Sequence, residues 1–317
     1  MVNGDGAARR IGWVGAGRMG LALAGRLLAA GYDVSVYNRT RAKAEPLADQ
    51  GATIVDAPCE LSGCDVVFTI VAGPDDFKQV VLGQDGVLAA DPPPAVIVDI
   101  TTVSPESSAE VREAAAARGT ALVAAPVSGN PKVAKAGRLT IVASGPEEAY
   151  RSVEPLLEQL AAGVTYVGDG ENARLAKICH NLMLGVVAQS LAEIVVLAEK
   201  GGMSRAAFLE FLNNSVMGST FTRYKSPAYV NLDFTPTFTP LLLRKDYDLG
   251  LAAARELDVP MPVAAATQQA VQALIGQGYV DTDFAALLEM EARNAGLALE
   301  SEDVEVPDGL SDEPVAA

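Results

Sequence analysis

The sequence predicts a doubly wound parallel α/β domain followed by an all-α C-terminal domain, with one long interdomain helix joining the two. Short, nearly continuous apolar runs alternate with helical patterns to about residue 165, as in parallel strands covered on both faces. No strand pattern follows, and the apolar stretch Asn172–Lys200 ends at two glycines, which are frequent at helix C-caps. We therefore place the first domain at residues 11–165 and the helical domain at residues 166–300.

Composition and charge predict a soluble, cytoplasmic protein. Half of the 317 residues are hydrophobic, which is enough for two domains with cores. The net charge of −16 argues against binding to nucleic acid or anionic membranes. Residues 1–10 lack the apolar core of a signal peptide. Gln189, Ser190 and Glu193 interrupt the most apolar run, so we predict no membrane span.

Two further features of the composition concern metal binding and the chain ends. Three scattered cysteines and a single histidine argue against a metal site. Residues 301–317 contain acids and prolines but no base and no hydrophobic periodicity. We expect this acidic tail to be disordered, and we expect the same of residues 1–10.

A glycine-rich turn follows the first apolar run. The motif G-A-G-R-M-G at residues 15–20 stands between a predicted strand and a predicted helix, and a second apolar run follows. In this context it is the fingerprint of a Rossmann-type dinucleotide site. Gly15 allows the tight turn, Gly17 lets the backbone approach a pyrophosphate, and Gly20 lets helix and strand pack closely. The helix N-terminus then offers free N–H groups to the phosphates. The predicted cofactor-binding residues here are Gly15, Ala16, Gly17, Arg18 and Met19.

The residues after the second predicted strand indicate which cofactor binds. NAD sites usually carry an acid there to bind the ribose 2′-hydroxyl, but this chain has Asn38, Arg39 and Thr40. A 2′-phosphate can bind the Arg39 guanidinium and the Thr40 hydroxyl, because no carboxylate at this position repels it. The sequence therefore favours NADP(H) over NAD, although these charges are also compatible with a solvated loop.

Further predicted strands end beside the dinucleotide site, where ligands bind in such sheets. We assign these strands to residues 66–71, 95–99, 121–125 and 139–143. Val71 and Ala72 would pass close to the cofactor ribose. The hydroxyls of Thr101 and Thr102 would lie near the nicotinamide. Each segment taken alone is also compatible with an ordinary loop.

A third segment follows the strand predicted at residues 121–125. Ser128, Gly129 and Asn130 present a hydroxyl and loop amides, which suit a carboxylate. We therefore expect the carboxylate of a small substrate to bind there.

Lys177 lies near the start of the long apolar helix, with Asn181 one turn later on the same face. Taken alone, Lys177 is compatible with a lysine whose stem covers apolar surface while its ammonium group reaches water. Burial or a nearby cation would instead lower its pKa towards the working pH, as general acid–base catalysis requires. For His180 we predict a structural or supporting role, and Arg174 either faces the site or is solvated.

These segments together resemble the β-hydroxyacid dehydrogenase family over residues 10–298. That family includes 3-hydroxyisobutyrate dehydrogenases and glyoxylate/succinic semialdehyde reductases, and its nucleotide domain is of the 6-phosphogluconate dehydrogenase type. The resemblance rests on G-A-G-R-M-G at 15–20, D-I-T-T at 99–102, P-V-S-G at 126–129, Lys177 with Asn181, and Lys245-Asp246. It implies a homodimer or homotetramer assembled through the C-terminal domain.

The resemblance also implies residue roles. Lys177 would be the general acid/base, and Asn181 would orient substrate or lysine. Ser128 and the Gly129 amide would hold the substrate carboxylate. Lys245 would close the site from the second domain and contact cofactor or substrate, with Asp246 holding it in place.

The chain departs from the family pattern beside the carboxylate loop, and other functions remain open. Asn130 stands where the family has a second glycine, Pro131 and Lys132 follow where small residues are common, and Arg138 stands where threonine is frequent. The alternatives to a hydroxyacid dehydrogenase are an imine reductase of the same architecture, which usually lacks the lysine, and a non-catalytic NADP-binding interaction protein.

Overall fold

The protein folds as two compact units that share one long helix. The structure, a computed structural model, describes residues 10–310. One unit ends at Lys177 and the other begins at Ile178, so the boundary between them lies inside the long helix. The first unit is α/β and the second is helical.

The first unit contains a six-stranded parallel sheet with the strand order β3-β2-β1-β4-β5-β6. Its strands are β1 (Arg10–Val14), β2 (Asp33–Tyr37), β3 (Thr53–Val55), β4 (Val66–Thr69), β5 (Val96–Asp99) and β6 (Ala121–Ala124). Its helices are α1 (Arg18–Ala29), α2 (Glu45–Ala48), α3 (Pro74–Leu82) and α4 (Pro105–Ala117). Most residues of β1, β4 and β5 are buried, as the apolar runs indicated. This order places the carboxyl ends of β1, β4 and β5 side by side, and the predicted doubly wound fold is confirmed.

A second, three-stranded sheet completes the first unit. It contains β7 (Val127–Ser128), β8 (Thr140–Ala143) and β9 (Gly163–Tyr166), with α5 (Pro131–Lys135) and α6 (Glu147–Leu160). Our prediction that residues 139–143 join the parallel sheet is wrong. That strand pairs antiparallel with β7 and parallel with β9. The two residues of β7 are only partly buried. No apolar run therefore indicated that the chain reverses direction at this point.

The second unit contains helices and loops but no strand among its described residues. It contains most of α7 (Asn172–Lys200), followed by α8 (Arg205–Asn214), α9 (Thr220–Asn231), α10 (Pro240–Glu256), α11 (Pro262–Gly276) and α12 (Leu287–Asn294). The helix α7 ends where predicted, because Gly202 adopts a φ of 90°. A Cβ atom on Gly185 would lie 2.5 Å from the Tyr247 ring. This glycine therefore permits close packing of α7 and α10.

The helix α7 is long and apolar enough to cross a membrane when only length and composition are considered. However, 44% of its most apolar window is buried inside the protein, and core helices of soluble proteins meet the same criteria. Leu182, Leu191 and Val195 belong to the apolar core of the helical unit. The apolar residues of α7 thus pack one face of this helix into the core of the helical unit.

The acidic C-terminal segment is partly ordered, which corrects our expectation for residues 301–310. The Glu302 carboxylate accepts hydrogen bonds from the amides of Arg205 (2.6 Å) and Ala206 (3.0 Å) at the start of α8. The side-chain nitrogen of Asn231 donates to the Val304 carbonyl at 2.8 Å. Composition could not reveal that one acid of this segment satisfies a helix N-terminus. The rest of the predicted tail, residues 311–317, and residues 1–9 lie outside the described residues.

Candidate active site

The glycine-rich turn after β1 forms a cradle at the start of α1. Gly15 has a φ of 107°, and a Cβ atom there would lie 2.0 Å from the Ile70 carbonyl oxygen. A Cβ atom on Gly20 would lie 2.0 Å from the Gly15 carbonyl oxygen. Within residues 10–310, no neighbouring atom comes within 4 Å of a Cβ placed on Gly17. The turn therefore needs glycine at positions 15 and 20, and it leaves open space above Gly17.

The first turn of α1 offers backbone donors to that space. Gly17 is the N-cap, no side chain in the described part of the chain caps the helix, and the Leu21 amide makes the first helical bond to the Gly17 carbonyl. The amides of Arg18 and Met19 precede that bond, in the first turn of the helix. Such an end attracts phosphate through its amides and its dipole, so the predicted cradle fits a pyrophosphate.

Asn38 connects the end of β2 to this turn. Its side-chain oxygen accepts from the Ala16 amide at 2.8 Å, and its side-chain nitrogen donates to the Thr40 carbonyl at 2.8 Å. The Gly15 amide donates to the Tyr37 carbonyl at 2.9 Å. The Ala16 amide thus donates its hydrogen bond to Asn38, and Ala16 contributes to the shape of the predicted cofactor site.

Arg39, which is predicted to recognise a 2′-phosphate, is already paired with a carboxylate, and so is the nearby Arg41. Arg39 Nη1 lies 2.7 Å from Asp76 Oδ1 of α3, and the Arg39 side chain is 80% exposed. Arg41 pairs with Asp56 and Glu45. Carboxylates are thus present beside the loop after β2, although no acid directly follows that strand.

A buried polar network occupies the carboxyl end of β5. Asp99 Oδ1 accepts from the hydroxyls of Thr69 (2.6 Å) and Thr101 (2.7 Å). The Thr101 hydroxyl oxygen in turn accepts from the Val71 amide at 3.1 Å. The other Asp99 oxygen lies 2.5 Å from Arg174 Nη2. The network links the segments after β4 and β5, which contain Val71, Ala72, Thr101 and Thr102.

The first turn of α7 is attached to the same unit by several side chains. The Ser144 hydroxyl accepts from the Ala173 amide at 3.0 Å. Arg112 Nε donates to Glu171 at 2.8 Å, just before the helix begins. Arg174 is 1% exposed, so the solvated alternative for this residue is wrong. Lys177 is one turn further along and is partly buried.

The carboxylate loop has a specific backbone shape. Gly129 has a φ of 129°, and a Cβ atom there would lie 2.5 Å from the Leu139 side chain. Asn130 is 8% exposed, and its side-chain oxygen caps α5 by accepting from the amides of Lys132 (2.9 Å) and Val133 (3.1 Å). This cap, which we did not predict, gives the Asn130 oxygen a structural role. Ser128 is partly buried in β7.

The remaining predicted site residues lie in the helical unit. Asn181 is 3% exposed, and its side-chain amide donates to Asp246 Oδ2 at 2.5 Å. His180 Nδ1 lies 2.9 Å from Asn181 Oδ1, which is an acceptor, so the proton is assigned to Nδ1. Lys245 Nζ lies 3.6 Å from Asp246 Oδ1. These four side chains form one connected group in which His180 supports Asn181.

Within residues 10–310, no group of three or more His, Cys, Asp or Glu side chains could hold a metal ion. Cys64 is buried, and this burial raises the pKa of its thiol to about 11. A thiol of that kind is protonated at neutral pH and is a poor nucleophile.

Two family models match the two halves of the chain. A family model described as the NAD binding domain of 6-phosphogluconate dehydrogenase matches residues 10–168. A second, described as the NAD-binding of NADP-dependent 3-hydroxyisobutyrate dehydrogenase, matches residues 170–290. The chain belongs to the β-hydroxyacid dehydrogenase family. As a member of that family, it is an NAD(P)-binding oxidoreductase of the hydroxyacid dehydrogenase type.

Individual relatives cover almost the whole chain. A probable mitochondrial 3-hydroxyisobutyrate dehydrogenase-like protein of Arabidopsis thaliana is 33% identical over 93% of this chain and 88% of its own. Glyoxylate/succinic semialdehyde reductase 1 of the same plant is 32% identical over 88% and 97%. The Mycobacterium tuberculosis 3-hydroxyisobutyrate dehydrogenase, solved with L-serine, is 26% identical over 90% and 99%, with a TM-score of 0.77.

Proposed function

We propose that this β-hydroxyacid dehydrogenase family member is an NADP(H)-dependent enzyme that interconverts a small β-hydroxyacid and the matching aldehyde acid, with Lys177 as general acid/base. The observation that carries the proposal is the attachment of the first turn of α7 to the carboxyl end of β5 through Arg174 and Asp99. This attachment supports a location for Lys177 at the edge of the sheet where dinucleotides bind.

The cofactor would be held by the turn after β1 and by the loop after β2. The amides of Arg18 and Met19 would bind the pyrophosphate over Gly17. Arg39 and Thr40 would bind the 2′-phosphate of NADP. When bound, the nicotinamide supplies or accepts the hydride. Thr101 and Thr102 would line the site of that ring.

Lys177 would carry the proton that accompanies the hydride. During reduction its ammonium group donates a proton to the carbonyl oxygen of the substrate. During oxidation its neutral amine takes the proton from the hydroxyl group. A positioned acid or base of this kind typically contributes about 10²- to 10⁴-fold to the rate.

The substrate carboxylate would be held by the Ser128 hydroxyl and the Gly129 amide. The positive φ of Gly129 shapes the backbone of this loop. The Mycobacterium tuberculosis relative was solved with L-serine, which has a carboxylate and a β-hydroxyl group. We propose that the substrate of this chain belongs to the same chemical class.

Replacing Lys177 tests the proposal. We expect Lys177→Ala to lower kcat by at least about 100-fold, while NADPH binding, measured by fluorescence titration, is retained. The assay follows NADPH oxidation with glyoxylate, succinic semialdehyde and related aldehyde acids. Lys200→Ala, the same change at the exposed end of the same helix, is the matched control and should retain wild-type kcat. Comparable turnover by Lys177→Ala and wild type would refute the role of Lys177.

Cofactor preference is tested separately on the wild-type enzyme. Because Arg39 and Thr40 offer a cation and a hydroxyl to a 2′-phosphate, we expect kcat/KM to be higher with NADPH than with NADH. A higher kcat/KM with NADH would contradict the NADP assignment and leave the role of Lys177 intact.

A further inference from the structure

We propose that Arg174 is a positioning residue. It would hold Lys177 in place relative to the loops after β4 and β5, which we assign to the cofactor. This inference rests on the proposed function, because it assigns Arg174 an effect on the rate that is transmitted through Lys177. It is carried by the hydrogen bonds of the Arg174 guanidinium and by the path that continues from them through Asp99.

The guanidinium is fully enclosed and bonds three groups of the first unit. Its Nη2 atom donates to Asp99 Oδ2 at 2.5 Å, its Nη1 atom to the Thr101 carbonyl at 2.5 Å, and its Nε atom to the Ser108 hydroxyl at 3.2 Å. The Cζ atom lies 6.0 Å from the centre of the Phe77 ring. Arg174 is 1% exposed and Asp99 is 0% exposed. These contacts fix both the location and the plane of the guanidinium.

The path continues from Arg174 to the two segments that we assign to the cofactor. Asp99 Oδ1 accepts from both the amide (3.2 Å) and the hydroxyl (2.7 Å) of Thr101. The Thr101 hydroxyl oxygen then accepts from the Val71 amide at 3.1 Å. One buried ion pair thus connects the loops after β4 and β5 to the first turn of α7.

Lys177 is three residues after Arg174 in this helix. Residues at that spacing lie on the same face, about one turn apart. A rotation or shift of the first turn would therefore move both side chains together. Since a displacement of about 1 Å at a reacting group can cost about 100-fold in rate, the fixation of Arg174 has a direct consequence for proton transfer.

A buried ion pair is an inefficient way to stabilise a fold, because desolvation of the two charges offsets most of their attraction. An apolar pair of similar volume would serve stability equally well. What the guanidinium adds is a planar set of donors with fixed directions. Lysine would keep the charge beside Asp99 but cannot reproduce the separate bonds to the Thr101 carbonyl and the Ser108 hydroxyl.

The test is a double-mutant cycle between Arg174 and Lys177. We expect Arg174→Met to lower kcat about 10- to 100-fold, with the Kd for NADPH within about threefold of wild type, since the glycine-rich turn that would bind the pyrophosphate is unchanged. In the Lys177→Ala background, Arg174→Met should cause no further loss, because its effect is transmitted through the lysine. A purely structural role would instead multiply the two losses.

Two further variants keep the test decisive. If Arg174→Met does not fold, the cycle uses Arg174→Lys, which leaves Asp99 paired and should also lower kcat. Arg205→Met is the matched control: it removes a guanidinium that is likewise buried and paired, with Glu199 at 2.7 Å in the helical unit, and the folded fraction should retain kcat.

The outcomes separate the inference from the proposed function. Multiplicative losses in the cycle, or unchanged kcat in folded Arg174 variants, would overturn the positioning role alone. An equal loss of kcat in Arg205→Met would overturn it too, because any buried arginine would then have the same effect. Full turnover by Lys177→Ala would overturn the proposed function itself.

Discussion

The proposed NADP preference depends on Arg39. Its guanidinium forms an ion pair with the Asp76 carboxylate. A 2′-phosphate would bind the same guanidinium, and the carboxylate and the phosphate repel each other. Asp76 therefore orients Arg39 and also weakens its attraction for the cofactor. Exposed ion pairs contribute only about 0.2–1 kcal/mol, so the effect on cofactor binding is modest.

Asp76→Asn should raise kcat/KM for NADPH by about two- to fivefold, in line with the strength of an exposed ion pair. It should leave kcat/KM for NADH within error, since NADH has no 2′-phosphate to repel. Steady-state kinetics with both cofactors at low ionic strength provide the measurement, because salt screens the repulsion. Asp75→Asn, in the same first turn of α3, is the matched control. An equal gain with Asp75→Asn would show that net charge, and not the pairing with Arg39, is responsible.

At this scale, the sequence predicted residue types better than residue contacts. The roles of Gly15 and Gly20 followed from the motif, because the turn geometry demands glycine. The pairing of Arg174 with Asp99 did not follow, although both residues lay in segments that we had singled out. Which of several charged residues meet in a buried site depends on tertiary packing, and the spacing along the chain does not contain that information. The same reason hid the helix cap formed by Asn130.

Between elements, a second buried ion pair ties α9 to the segment before α12. Lys225 Nζ lies 2.5 Å from Asp283 Oδ1, and Asp283 Oδ2 accepts from the Thr237 hydroxyl at 2.6 Å. The Lys225 ammonium also lies 4.6 Å from the centre of the Phe284 ring. Burial alone would raise the pKa of Asp283, but Lys225, Thr237 and the Ala285 amide stabilise the carboxylate more, so its pKa is lowered.

Removing one partner of this pair should destabilise the helical unit strongly. We expect Asp283→Leu or Lys225→Met alone to cost about 3–5 kcal/mol, because each leaves a buried charge without its partner. The double variant should lie much closer to wild type. Urea denaturation followed by circular dichroism measures all four corners of the cycle. Additive losses would contradict the coupling of the two charges.

The pH dependence of stability follows from the lowered pKa of Asp283. A carboxyl group whose pKa is lower in the folded state stabilises the fold above its unfolded value, for which the reference is 3.8. That contribution is lost as the pH falls below this value towards the folded pKa. The Lys225→Met/Asp283→Leu variant should therefore lose less stability than wild type on acidification below pH 3.8. An unchanged slope in denaturation experiments across that range would contradict this assignment.

Most helices and the buried strands could be predicted, because the helices show hydrophobic periodicity and the strands are short, continuous apolar runs. The strands β3, β7 and β9 could not, since they are short and partly exposed. The change of sheet at residues 139–143 depends on β7, which has only two residues. Hydrophobic periodicity cannot reveal which sheet a strand joins.

For the whole molecule, large exposed apolar side chains concentrate in the helical unit. Those identified between residues 10 and 310 all lie from Met183 onwards. Met183 (68% exposed), Ile194 (36%) and Leu197 (73%) repeat along one side of α7. Exposed apolar surface of this kind is typical of subunit interfaces. It supports our proposal of a homodimer or homotetramer assembled through the C-terminal unit.

Leu197→Glu should weaken that assembly, because it would place a charge in an apolar interface. We expect light scattering after size-exclusion chromatography to give a multiple of the 32.9 kDa chain mass for wild type and a smaller mass for the variant. Val304→Glu, the same change at an exposed residue outside α7, should retain the wild-type mass. A monomeric wild type would contradict the proposal.

The attachment of Glu302 to the start of α8 has a consequence for how the protein is made. The bonded residues Glu302 and Arg205 are 97 positions apart in the chain. As the ribosome adds residues in order, the Asp99–Arg174 pair of the first unit can form while most of the helical unit is still untranslated. The two amides at the start of α8 can donate to the Glu302 carboxylate only after Glu302 has been synthesised. The first unit can therefore fold before the helical unit, which is completed only after Glu302 has been added.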